Sequence, residues 1–192
     1  MRIIAGEAKG RKLKSIKGTA TRPTLDRVKE AIFNIIGFYL PVASGLDLFA
    51  GFGNLGLEAL SRGAERFIFV EKDYRNVKII KENIELCGFG ERTLVKKEDV
   101  FHFLNHTGED FNLILMDPPY GRDLANRAVE LILKRGLLSR DGLIVVEHRD
   151  TDKMREFPEL EVIKTRNYGD TSVTIYHAGG GDKYGNKSSL SR

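Results

Sequence analysis

The stretch Met116-Asp117-Pro118-Pro119-Tyr120-Gly121 places a carboxylate, two prolines and an aromatic ring directly after an apolar run, FNLILM. Neither proline has an N–H to donate, so a sheet cannot continue through them. The set suits an exocyclic amine on a nucleobase. Such an amine is a poor nucleophile, because its lone pair is delocalised into the ring. The Asp117 carboxylate can accept one N–H and the Pro118 carbonyl, stiffened by Pro119, the other. Tyr120 can stack on the flat face of the base. A base read in this way has left its stack. Acceleration of methyl transfer to it would come from positioning and from charge complementarity as the amine turns positive. The competing reading is a strand-ending turn with proline at its start.

A second group precedes it. DLFAGFGNLGLEAL carries Gly51, Gly53 and Gly56 in G-x-G-x-x-G spacing. Glycines at a strand end that opens a helix allow a tight turn and close approach of a ligand to the backbone. Glu71 ends the next strand, where a carboxylate can accept both ribose hydroxyl hydrogens. Asp47, ahead of the loop, can receive the ammonium of an amino-acid-bearing cofactor or can cap the loop. Asp99 ends a third strand, where it can accept from an adenine amino group, cap the helix beginning near Val100, or do both. The four histidines, His102, His106, His148 and His177, show no metal-ligand grouping in the sequence, and with Cys87 as the lone cysteine no metal site is expected.

These residues need a scaffold that brings several strand ends together. Strand-like runs at 45–50, 66–71, 93–99, 111–117 and 143–148 alternate with helical segments at 54–62, 74–87 and 123–136. That alternation predicts a doubly wound α/β sheet with helices on both faces, and its ligands bind at the carboxyl ends of the strands. Runs at 160–166 and 171–177 are joined by NYGD, too short for anything but antiparallel pairing. If the first of them runs parallel to the sheet, Tyr168 falls on the ligand edge and can touch nucleic acid. Ahead of the sheet, TRPT suggests a helix over 25–37 capped by Thr24.

The 192 residues suit one domain, divided here as a basic arm (1–22), a catalytic domain (23–177) and a flexible Gly/Ser/Lys-rich tail (178–192). Within residues 1–29, nine lysines and arginines face only Glu7 and Asp26, a local charge of +7 in a chain of net +4. RIIAG and RKLKSI read as a small β-hairpin. A basic hairpin on a nearly neutral body points to a polyanion, with Arg2, Lys9, Arg11 and Lys12 as contacts and Arg22 meeting a phosphate beside the pocket. No apolar run is long enough to span a bilayer. With one cysteine and no apolar leader, a cytoplasmic monomer is the simplest expectation.

Taken together, MRIIAGEAKGRKL, TRPTLDRVKEAIFNII, DLFAGFGNLGLEALSRGA, FVEKD, LMDPPY and NYGDTSVTIY resemble a family of class I S-adenosylmethionine-dependent methyltransferases. It is the bacterial family that methylates guanine N2 in 16S rRNA of the small ribosomal subunit. The resemblance runs from Met1 to about His177. It implies a seven-stranded Rossmann-like sheet of order 3-2-1-4-5-7-6 with strand 7 antiparallel. It also implies that Asp47, Phe49, Gly51 and Gly53 line S-adenosylmethionine, with Glu71 on its ribose and Asp99 and Val100 at its adenine. Asp117, Pro118, Pro119 and Tyr120 would hold the guanine amino group, and the N-terminal hairpin would grip 16S rRNA or an assembly particle. Phe52 and Asn54 depart from the small residues expected inside the family's loop. A DNA adenine-N6 methyltransferase uses similar tetrapeptide chemistry. An NAD-linked oxidoreductase accounts for the glycines and Glu71 but gives DPPY no purpose, and a non-catalytic RNA-binding factor accounts for the arm alone.

Overall fold

In the computed structural model, residues 1–16, 23–119, 121 and 123–179 are described. Tyr120, Arg22 and residues 180–192 lie outside them, so the roles expected of Tyr120 and Arg22, and most of the tail, are not addressed by the fold.

The elements run α1 (Pro23–Ile36), β1 (Ser44–Leu48), α2 (Asn54–Ser61), β2 (Arg66–Glu71), α3 (Tyr74–Cys87), β3 (Thr93–Lys97), α4 (Val100–His106), β4 (Phe111–Met116), α5 (Leu124–Arg135), β5 (Leu138–Arg149), β6 (Glu161–Tyr168) and β7 (Thr171–His177). One seven-stranded sheet has the order β3-β2-β1-β4-β5-β7-β6. The first five strands are parallel, and β7 is antiparallel to both β5 and β6. β6 therefore runs parallel to β5, and Tyr168 ends it at the same sheet edge as the loops that follow β1, β2 and β4. The expected sheet order and topology are those observed.

Alternation along the central strands builds two cores, one on each face. Leu113, Leu115, Leu143 and Val145 pack with apolar residues of α1, α2, α3 and the N-terminal arm. Leu46, Leu48, Ile114, Met116, Ile144 and Val146 pack with α4 and α5. Helix α1 follows its 3.6-residue period, burying Val28, Ile32 and Ile36 on one stripe with Phe33 beside them.

Two local expectations are corrected. Helix α1 begins at Pro23, so Thr24 lies within its first turn instead of capping it; proline suits this place because the N–H it lacks has no intrahelical partner there. The arm also forms less sheet than expected. Its two runs lie antiparallel, but only Arg2 and Lys12 form a bridge pair. The amides that would extend the ladder are taken by α2. Ile4 N–H and Ala5 N–H donate to the Glu58 carboxylate (2.8 and 3.1 Å), and Ala8 N–H donates to Ser61 Oγ (3.0 Å). At the other end of the chain, Ala178 is not loose: its N–H donates to the Gly142 carbonyl at 2.9 Å.

Candidate active site

The loop from β1 to α2 turns through three residues with positive φ, Phe49 (56°), Gly51 (55°) and Gly53 (79°). For Phe49 that conformation is strained, since a side chain crowds the backbone there. Gly56 answers a different need. A Cβ added to it would lie 2.4 Å from the Phe69 ring, so only glycine lets α2 pack this tightly on β2.

The loop is held by carboxylates. Gly51 N–H donates to Glu71 Oε2 at 2.9 Å, and Asp73 N–H donates to Glu71 Oε1 at 2.8 Å. Each oxygen keeps a second lone pair for a ligand. Asp47 is buried under the loop and accepts from Gly56 N–H at 2.9 Å. Its loop-capping role thus has a hydrogen bond in the structure. Burial drives the Asp47 carboxyl well above the usual carboxylate range; that hydrogen bond opposes the shift, and the charges of Asp117 and Glu71 add to it. Asp99 caps α4, accepting from Phe101 N–H (2.9 Å) and His102 N–H (3.3 Å) through one oxygen, which leaves the other for a ligand.

A cleft of about 440 Å³ joins these parts. Phe49, Gly51, Glu71, Asp99, Val100, Asp117, Pro118 and Pro119 all line it. Asp47 and Gly53 do not; Gly53 is buried against Leu57, Phe69 and Ile80. The walls also carry Asp73, Glu98 and Lys72, so five carboxylates face one ammonium. That charge balance suits a cationic ligand and disfavours a pyrophosphate.

Asp117 follows the last residue of β4. It is exposed to the cleft, yet protein encloses enough of it that desolvation lifts its carboxyl to about 6. No described group donates a hydrogen bond to it. Pro118 and Pro119 also line a second cleft, of about 320 Å³, with Asn126, His148, Lys153 and Met154. The double proline is thus a partition between two cavities.

Sequence reasoning missed Glu147. Met116 pairs with Val146 in register, so Asp117 and Glu147 are neighbours one step further along. Glu147 is buried; burial first and the Asp117 charge second raise its carboxyl to about 8. The signal was present in LIVVEH, an apolar strand that ends on an acid beside the DPPY strand.

One side-chain cluster of metal-ligating types forms near the start of α4. Glu98, His102 and His106 bring one oxygen and two ring nitrogens within 4.8 Å of one another. Four-residue spacing places His102 and His106 on one face of α4, and Glu98, just ahead of the Asp99 cap, reaches His102 Nδ1 at 2.7 Å.

Arg2, Lys9, Arg11 and Lys12 are exposed along the arm. Tyr168 is half-buried against the core, its hydroxyl buried without a hydrogen-bond partner among the described residues. No helix among the described residues is long and apolar enough to cross a membrane.

The strand order and the carboxylate-lined cleft at the carboxyl edge define a Rossmann-like methyltransferase fold. The chain belongs to the family described as Conserved hypothetical protein 95, whose profile matches residues 1–177. It is 43% identical to "Putative rRNA methyltransferase YlbH" of Bacillus subtilis (strain 168), over 92% of this chain and 98% of that one. It is 36% identical to "Ribosomal RNA small subunit methyltransferase D" of Haemophilus influenzae, over 92% and 93%. Among solved structures, "Putative methyltransferase yhhF from Escherichia coli" superposes with a TM-score of 0.82 at 31% identity, covering 93% of this chain and 98% of that one.

Proposed function

We propose that the protein is an S-adenosylmethionine-dependent methyltransferase acting on the exocyclic N2 of a guanine in 16S rRNA of the small ribosomal subunit. One observation carries the reading. Asp117, which accepts no hydrogen bond from the described residues, opens into the same acidic cleft as Glu71 and Asp99 and stands beside the partition of Pro118 and Pro119.

S-adenosylmethionine supplies a methyl carbon on a positively charged sulfur. The chain's residues do the rest. Glu71 accepts from the ribose hydroxyls, Asp99 and Val100 border the adenine, and the acidic walls balance the cofactor's positive charge. Across the partition a flipped base enters, and its amine donates one N–H to Asp117 and the other to the Pro118 carbonyl. That geometry turns the N2 lone pair toward the methyl carbon. Methylation of N2 by the bound cofactor would leave the amine positively charged. Asp117 stabilises that charge and is placed to take the departing proton. The small-subunit rRNA target, in place of DNA, follows the names of the relatives, and guanine in place of adenine is what the family resemblance of the sequence motifs implies. The charge of the cleft weighs against the NAD reading, because a pyrophosphate would face five carboxylates.

The test is methyl transfer from labelled S-adenosylmethionine to unmethylated small-subunit particles and, in parallel, to naked 16S RNA, with the modified nucleoside identified by mass. The expected product is N2-methylguanosine. N6-methyladenosine, or no label in either RNA with cofactor binding intact, would overturn the substrate assignment.

A further inference from the structure

Two buried side chains tie the N-terminal arm to the glycine loop. Lys29, on α1, is almost wholly buried. Its ammonium donates to the Arg2 carbonyl at 2.6 Å and to Asn54 Oδ1 at 2.7 Å, and pairs with the buried Glu58 at 3.3 Å. Asn83, on α3, is completely buried. Its side-chain nitrogen donates to the Lys14 carbonyl at 3.1 Å and the Phe52 carbonyl at 3.0 Å, and its oxygen accepts from Lys14 N–H at 2.7 Å. Arg2 and Lys14 stand at the two ends of the looped arm. Phe52 and Asn54 stand on either side of Gly53. Each end of the arm is thus bonded, through one buried side chain, to one flank of the cofactor loop.

Neither Lys29 nor Asn83 lines either cleft. Burying an ammonium or a carboxamide is costly, and apolar residues fill a core with less penalty. What these two polar groups add is a fixed register between two segments that would otherwise move independently. The departure at Asn54 gains a use here, since its side chain supplies one of the acceptors that Lys29 engages, whereas Phe52 contributes only its backbone carbonyl.

We infer that Lys29 and Asn83 are positioning residues that couple RNA held by the arm to cofactor held by the loop. The inference rests on the proposed function above. The bonded arm and the bonded loop occur together, so a ligand that orders one has already ordered the other. RNA on the arm then raises cofactor affinity, and cofactor raises RNA affinity by the same factor.

The test measures the dissociation constant of S-adenosylhomocysteine, which cannot turn over, with and without saturating unmethylated 16S RNA on the full chain. The ratio of the two constants is the coupling. It should be roughly 5- to 20-fold in the native protein. Asn54→Ala cuts only the loop side of the Lys29 bridge and leaves the Arg2 and Glu58 contacts. It should pull the ratio toward one, and Asn54→Asp, which keeps an acceptor, should restore it. Combining Asn54→Ala with Asn83→Ala should abolish it, with melting temperatures checked alongside. A native ratio of one, or a ratio unmoved by Asn54→Ala and by the double variant, overturns the inference. A Lys9/Arg11/Lys12→Gln variant separates the two readings. If RNA affinity is unaffected by it, the arm reading fails and the coupling with it. If RNA affinity falls but the native ratio is one, the coupling alone fails.

Discussion

The two sides of the sheet's carboxyl edge treat their carboxylates in opposite ways. On the β1–β2–β3 side, Glu71, Asp47 and Asp99 each accept backbone N–H groups at 2.8–3.3 Å. Those bonds fix the side chains and shape the loop before any ligand arrives. On the β4–β5 side, Asp117 and Glu147 receive no hydrogen bond from described residues, and both are raised, to about 6 and about 8. One half is a preformed mould. The other holds two carboxyls lifted by burial, of which Asp117 opens into the cleft and Glu147 lies buried beside it. Binding needs the first arrangement, and a reaction in which positive charge appears needs the second.

That contrast breaks most visibly at Asp117. Asp117→Ala should lower the rate of methyl transfer by about 10²- to 10³-fold while leaving the dissociation constant of S-adenosylmethionine within about threefold of native, since no loop contact depends on Asp117. Single-turnover transfer and calorimetric titration on the same preparation separate the two quantities. Residual turnover near the native rate would remove Asp117 from the chemistry.

The reverse pattern is expected on the other side. Glu71→Ala strips the acceptor proposed for the ribose and removes the carboxylate that Gly51 N–H and Asp73 N–H donate to. Cofactor affinity should fall roughly 10- to 100-fold, the range for losing one or two hydrogen bonds to a charged group. At saturating cofactor the transfer rate should recover most of its native value. A loss confined to the rate would show that the mould also serves the transition state.

What could be read from the chain follows the same division. The strand ends Glu71, Asp99 and Asp117 were legible because each closes an apolar run, and the parallel topology that alternating elements imply brings such ends to one edge. Strand β2, helix α3 and strand β7 fell where the periodicity places them. The arm was not legible as it is. Its β-like pattern is real, but Glu58 and Ser61 lie more than 50 positions away and capture its amides, a tertiary contact that no local window contains. Lys29 and Asn83 were hidden for a related reason, since a polar residue in an amphipathic helix reads as a solvated face until its partners are known. The approach of His102 and His106 is plain in the sequence once α4 is granted, whereas Glu98 joins them from the turn ahead of the Asp99 cap.

The smallest expected effect is the most specific to the β4–β5 side. In the unfolded chain Glu147 titrates near the ordinary glutamate value of about 4.3, and in the fold near 8. Between those values the folded state binds more protons than the unfolded one, so stability falls as pH rises. Asp117 adds to the fall up to about 6. Glu147→Gln removes the larger part of this slope. The variant should be more stable than the native protein by about 1–2 kcal/mol at pH 8, and the difference should shrink toward pH 4. Urea unfolding across that range measures it. The rate profile supplies the complementary check. Glu147 is still neutral while Asp117 ionises, so the acid limb of methyl transfer, set by Asp117 near 6, should stay in place in Glu147→Gln. A limb displaced toward lower pH would mean that Glu147 carries charge when Asp117 does, and that the two carboxyls titrate as a single unit.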